Sequence, residues 1–152
     1  MSRAFVKETE TVEELPDRLV SAHRNLVTRE GFAQIEAEVV RLHEQLAAAH
    51  EGGDREAIAR VNRDLRYWNQ RLGSAEVQPE PTDFSVVSFG ATVTLERDDG
   101  RVQKFRIVGE DEADPAKGSI SYVSPLAQAL LGKSVGDAVK AGAMSAEIVA
   151  IS

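Results

Sequence analysis

Residues 32–75 read FAQIEAEVVRLHEQLAAAHEGGDREAIARVNRDLRYWNQRLGSA. Apolar side chains fall at Phe32, Ile35, Val39, Leu42, Leu46 and Ala49, and again at Ile58, Val61, Leu65, Trp68, Leu72 and Ala75. Spacings of three and four alternate through both halves, the seam of a helix that packs on another helix. Gly52-Gly53-Asp54 separates the halves, and paired glycines do not sit in the middle of a helix. Folded back there, the seams meet in mirror order: Ala49 with Ile58, Leu46 with Val61, Leu42 with Leu65, Val39 with Trp68, Ile35 with Leu72. The spacing predicts an antiparallel helical hairpin, a coiled coil with a sharp tip, over residues 27–77. Its core is Ile35, Val39, Leu42, Leu46, Ile58, Val61, Leu65, Trp68 and Leu72.

The ends of the arms are marked. Thr28 is a candidate N-cap, and Val27 before it can staple to Phe32 in the next turn. Gly31 weakens that first turn and predicts fraying. Asp54 caps the second arm, and Gly73 can stop it. Each arm therefore reaches about 30–35 Å at 1.5 Å per residue. Acidic residues crowd the first arm (Glu30, Glu36, Glu38, Glu44, Glu51) and arginines the second (Arg55, Arg60, Arg63, Arg66, Arg71). Cross-arm ion pairing is the plain reading of that division; a basic flank suited to an acidic or RNA-containing channel is the functional one.

Outward from the hairpin, residues 1–26 are rich in acidic side chains without a clear period and predict a flexible N-terminal tail; the alternative is that Leu15, Pro16, Leu19, Val20 and Leu26 lie along another surface as a strap, a reading that suits the last few residues best. Gln78-Pro79-Glu80-Pro81-Thr82-Asp83 is a stiff linker over residues 78–83. The period then changes. Thr92–Leu95 and Gln103–Val108 alternate as half-buried strands about an Asp98-Asp99-Gly100 turn. Further strands are expected at 119–123, 138–140 and 146–151, with a short helix at 125–131 that opens on Ser124-Pro125. Residues 84–152 thus form a small α+β domain, an antiparallel sheet with one short helix.

Composition narrows the function. A net charge of −7 argues against general duplex DNA binding, which needs clustered Lys and Arg. No apolar run approaches a membrane span of roughly 20 residues, and the start lacks a secretory apolar core. Absence of cysteine excludes disulfides and thiolate metal sites and fits the cytoplasm. His23, His43 and His50 have no paired ligand spacing, so they read as surface residues. The acidic run Glu110, Asp111, Glu112 and Asp114 lacks calcium-loop spacing and reads as a solvated loop or a patch for a basic partner.

Residues 108–137 contain Ser124-Pro125-Leu126-Ala127-Gln128-Ala129-Leu130-Leu131-Gly132-Lys133 and Gly136-Asp137. This stretch closely resembles the C-terminal domain of the bacterial GreA/GreB transcript-cleavage factors. Ser88–Leu95 is similar to that family's first strand, and Val27–Phe32 to its first helix. The resemblance implies an FKBP-like C-terminal domain that docks at the rim of RNA polymerase's secondary channel, with Ser124, Pro125 and Leu126 at the contact. It also implies a hairpin inserted into the channel, touching nucleic acid only indirectly. In cleaving members, acidic residues at the tip help hold a second Mg2+ at the polymerase active site, where carboxylate oxygens suit a hard cation. Here Asp54, Glu56 and Glu51 are the tip candidates. The following Arg55-Glu56-Ala57 departs from the cleaving pattern, and the arms are several turns shorter. The expectation is a monomeric accessory factor with no catalytic residue, metal or cofactor of its own, apart from a share in the polymerase's Mg2+. It would bind polymerase without strong cleavage. The alternative is an Rnk-like regulator of nucleoside diphosphate kinase that competes with Gre factors for polymerase.

Overall fold

The computed structural model describes residues 14–152. They divide into two compact units, one holding residues 14–22 and Ile35–Ser74, the other His23–Gln34 and Ala75–Ser152. The expected tail over residues 1–26 lies partly outside the described residues.

Helices α1 (Arg29–Gly52) and α2 (Arg55–Ser74) form the hairpin, with α1 from Ile35 onward and all of α2 in the first unit. Its tip is a Schellman turn. Asp54 N–H donates to the Ala49 carbonyl at 3.0 Å and Gly53 N–H to the His50 carbonyl at 3.2 Å. Gly53 takes φ +64°, the left-handed conformation that glycine enters at least cost. Asp54 then caps α2, its Oδ1 accepting from Ala57 N–H at 3.1 Å. One residue ends the first helix and starts the second, so the turn is as tight as the sequence implied.

Along the seam, Leu42, Val61 and Leu65 are buried together, with Val39, Leu46 and Trp68 packed against them. Ile35 and Ile58 are buried as well. Leu72, expected in this core, is only half-buried, whereas its neighbour Arg71 is 2% exposed. An arginine can enter such a site because its long stem packs like an apolar chain. Two of these arginines take partners other than the facing arm. Arg41 pairs with Glu38 on its own helix at 2.6 Å, and Arg66 with Asp17 of the N-terminal segment at 2.5 Å. Neighbours at i,i+3 reach one another without bridging two backbones.

The second unit has two sheets. Strands β1 (Leu26–Val27) and β2 (Glu76–Val77) pair in parallel, which the sequence reading missed because two residues carry no period. The main sheet contains β3 (Thr92–Arg97), β4 (Val102–Val108), β5 (Ser119–Ser121), β6 (Ala138–Ala141) and β7 (Met144–Ile151), in the order β5-β4-β3-β7-β6. Helix α3 (Pro125–Leu130) packs on it. The inward positions Val93, Leu95, Ile107 and Ile148 are fully buried, with Val139, Ala127 and Leu130 joining the same core. Gly100, φ +87°, closes the β3–β4 hairpin. The expected all-antiparallel pairing needs one correction: β5 runs parallel to β4, with Arg106 opposite Ser119. The chain between them, residues 109–118 with a 3-10 turn at Pro115–Lys117, returns to the level of Arg106 in β4 before pairing. Parallel pairing requires such a crossover.

Candidate functional site

At the hairpin tip, Glu51, Asp54 and Glu56 are all exposed. Asp54 is committed to the Ala57 N–H, the ordinary job of an aspartate at a helix start. Among the described residues, no group of three or more His, Asp or Glu side chains is placed to hold a metal ion. His23, His43 and His50 are exposed, and Trp68 packs on the seam cluster with its ring 5.1 Å from Tyr67, edge to face.

The segment expected to dock opens α3. Ser124 is its N-cap, Oγ accepting from Ala127 N–H at 3.2 Å, and Pro125 occupies the first turn, where a missing N–H costs nothing. Pro125 is exposed, while Leu126 is half-buried and packs against the sheet core. The exposed surface at this corner is therefore Pro125 with the capped serine. Leu126 anchors it from beneath.

The start of α1 holds a feature that the sequence reading missed. Thr28 is the N-cap as expected: its Oγ1 accepts from Gly31 N–H at 2.9 Å. In a capping box the third helical residue is Glu or Gln, whose side chain reaches back to the cap's own N–H. Here that residue is Gly31, and the acceptor comes from Glu112, 84 positions away. The Glu112 carboxylate accepts from Thr28 N–H at 2.9 Å, from Thr28 Oγ1–H, and from Gly109 N–H at 3.0 Å. A Cβ on Gly31 would lie 2.3 Å from that carboxylate, so the glycine is what admits it. Gly31 therefore does more than loosen the first turn. The acidic run is not a solvated loop either, since Glu110, Asp111, Glu112 and Asp114 are all half-buried. A signal was available: Thr28 without Glu at the third helical position leaves the cap's N–H needing an acceptor.

Nearby, Arg106 donates to Glu30 at 2.8 Å and to the Gly90 carbonyl at 3.1 Å. The hydrogen-bonded guanidinium holds the Glu30 carboxyl below its ordinary value. Arg24 pairs with Glu76 at 2.6 Å, lowering the Glu76 carboxyl by the same cause, and Tyr122 O–H donates to the Arg24 carbonyl.

Against known proteins, residues 80–152 match the family described as transcription elongation factor GreA/GreB, C-terminal. The chain is 41% identical over 132 residues to the transcription elongation factor GreB of Xanthomonas axonopodis pv. citri, covering 74% of this chain and 79% of that one. This protein belongs to the GreA/GreB family. It is also 34% identical over 149 residues to GreA of Desulfovibrio desulfuricans, covering 83% of this chain and 92% of that one. Among solved structures it aligns with GreA factor homolog 1 (Gfh1) of Thermus thermophilus at 23% identity and a TM-score of 0.43, covering 86% and 99% of the two chains. The GreA/GreB relatives are named as transcription elongation factors, not as enzymes. No described helix of this family member is long and apolar enough to cross a membrane.

Proposed function

We propose that this GreA/GreB-family protein binds RNA polymerase at the secondary channel, its C-terminal domain docking at the rim through Ser124, Pro125 and Leu126, and that its short hairpin enters without strongly stimulating transcript cleavage. The observation that carries the second half is the tip: Asp54 spends its carboxylate on the Ala57 N–H, within a turn that leaves one glycine between the helices. Two-metal chemistry needs carboxylates held at the metal within a fraction of an ångström, and a capping aspartate is oriented by its helix instead.

Hairpin length supports the same reading. Arms of 24 and 20 residues reach about 36 and 30 Å. The protein acts as a cytoplasmic monomer and brings no metal of its own; any Mg2+ at the tip is the polymerase's.

The test is capture of RNA polymerase by the wild type and by a Ser124→Gly/Pro125→Ala double variant, with circular dichroism confirming that both are folded. Glycine keeps most of the cap, so α3 should persist. Binding should fall at least tenfold in the variant, and backtracked complexes should show little added cleavage with the wild type. Brisk cleavage abolished by Asp54→Ala would overturn the tip assignment. Undiminished binding of the double variant would move the contact elsewhere.

A further inference from the structure

Within the hairpin unit, the segment preceding the helices lies on one face of α2. Arg66 Nε donates to Asp17 Oδ1 at 2.5 Å and its NH2 group to the Leu15 carbonyl at 2.8 Å, with Glu14 4.0 Å away. One turn along, Arg18 pairs with Asp64 at 3.4 Å and stacks on the Tyr67 ring, 4.0 Å from its centroid. A single guanidinium thus reads a carboxylate and a main-chain carbonyl of an irregular chain, the way arginine takes an acidic peptide.

The segment is held by charge more than by burial. Asp17 and Glu14 side chains are 76% and 86% exposed; of its apolar residues Leu19 is 97% exposed, while Leu15 and Val20 are half-buried. Exposed ion pairs of this kind shift an equilibrium by only about twofold to fivefold each. Such a strap can be displaced by a better acidic ligand, and salt should loosen it.

We propose that the α2 face made by Arg63, Arg66 and Tyr67 is a binding surface for an acidic, extended segment of a partner protein, and that residues 14–18 are its intramolecular competitor. The surface goes beyond the function proposed above and rests on it only in taking RNA polymerase as the carrier of that segment. A ligand must displace the strap first, so its apparent affinity is reduced by the fraction of molecules with the strap released.

The test uses the full chain carrying Asp17→Asn and Arg18→Ala together. The change removes the Asp17 and Arg18 side-chain anchors, leaving the Arg66–Leu15 carbonyl bond, and keeps the net charge at −7, so bulk charge cannot account for a gain. The probe is a fluorescent deca-glutamate peptide, read by anisotropy. The variant should bind about five- to twentyfold more tightly than the wild type in 50 mM salt, and Arg66→Ala in the variant should abolish the gain. Equal or weaker binding, or a gain that survives Arg66→Ala, would overturn the proposal. A larger gain for a single-stranded RNA decamer would overturn the assignment to a polypeptide. The same variant should also capture polymerase more tightly, and equal capture would remove polymerase as the carrier. Failure of either chain to bind polymerase at all would defeat the proposed function, with the peptide titration still deciding the surface.

Discussion

Gly31 and Glu112 should be coupled, and the coupling should reverse the sign of a mutation. Glu112→Ala removes the acceptor of three hydrogen bonds and leaves Thr28 N–H and Gly109 N–H without it, both at buried residues. Hydrogen bonds to a charged group contribute about 1.5–3 kcal/mol each, less where water can substitute, so a loss of about 3 kcal/mol is expected for the set. Gly31→Ala places a methyl where the carboxylate sits, at 2.3–2.5 Å from its three atoms. The carboxylate must swing off its donors, costing about the same 3 kcal/mol, offset by up to about 1 kcal/mol of helix propensity. The net is about 2 kcal/mol of destabilisation. Once Glu112 is alanine the obstruction is gone, and Gly31→Ala should stabilise by up to about 1 kcal/mol. Urea denaturation of the four proteins measures this: at a slope of about 1–3 kcal/mol/M, the Glu112→Ala midpoint should fall by roughly 1–3 M. Additive effects of the two substitutions, or a stabilising Gly31→Ala in the otherwise wild-type chain, would refute the shared capping box.

Three further outcomes follow from the same geometry. Gly109→Ala should cost about 2–3 kcal/mol, because its Cβ would meet the Leu26 carbonyl oxygen at 2.4 Å and main chain cannot swing aside as a side chain can; thermal melting would register it. Asp54→Ala should cost about 1 kcal/mol through loss of the α2 cap, seen as faster hydrogen exchange at Ala57, without changing polymerase capture. The Glu30 carboxyl is lower in the folded protein than its usual 4.5 because Arg106 donates to it, so its contribution is present above that value and lost as pH falls through the folded value. Half-exposed as the pair is, the effect is a few tenths of a kcal/mol, and Glu30→Gln should flatten that part of an acid-unfolding curve.

The hairpin was legible because everything that specifies it is local. Seam spacing, the glycine at the left-handed position and the aspartate cap all act within a few residues of themselves, as does the Ser124-Pro125 start of α3. The alternating strands were legible for the same reason, since Val93, Leu95 and Ile107 show their buried face by parity. Two-residue strands at Leu26–Val27 and Glu76–Val77 are too short to show a period. The burial of Arg71 beside a half-buried Leu72 depends on what surrounds the last turn of α2, which no helical spacing encodes.

By itself, then, the sequence determined the two helices and their tight turn, the alternating strands and the family resemblance, all properties of short windows. Tertiary structure alone decided that Glu112 completes a capping box 84 residues upstream, that Gly31 is empty space for it, that β5 joins β4 in parallel, and that Asp17 lies on Arg66. Each of these is a choice among partners far apart in the chain. Charge, shape and unmet hydrogen bonds select the partner only once folding has brought the candidates together.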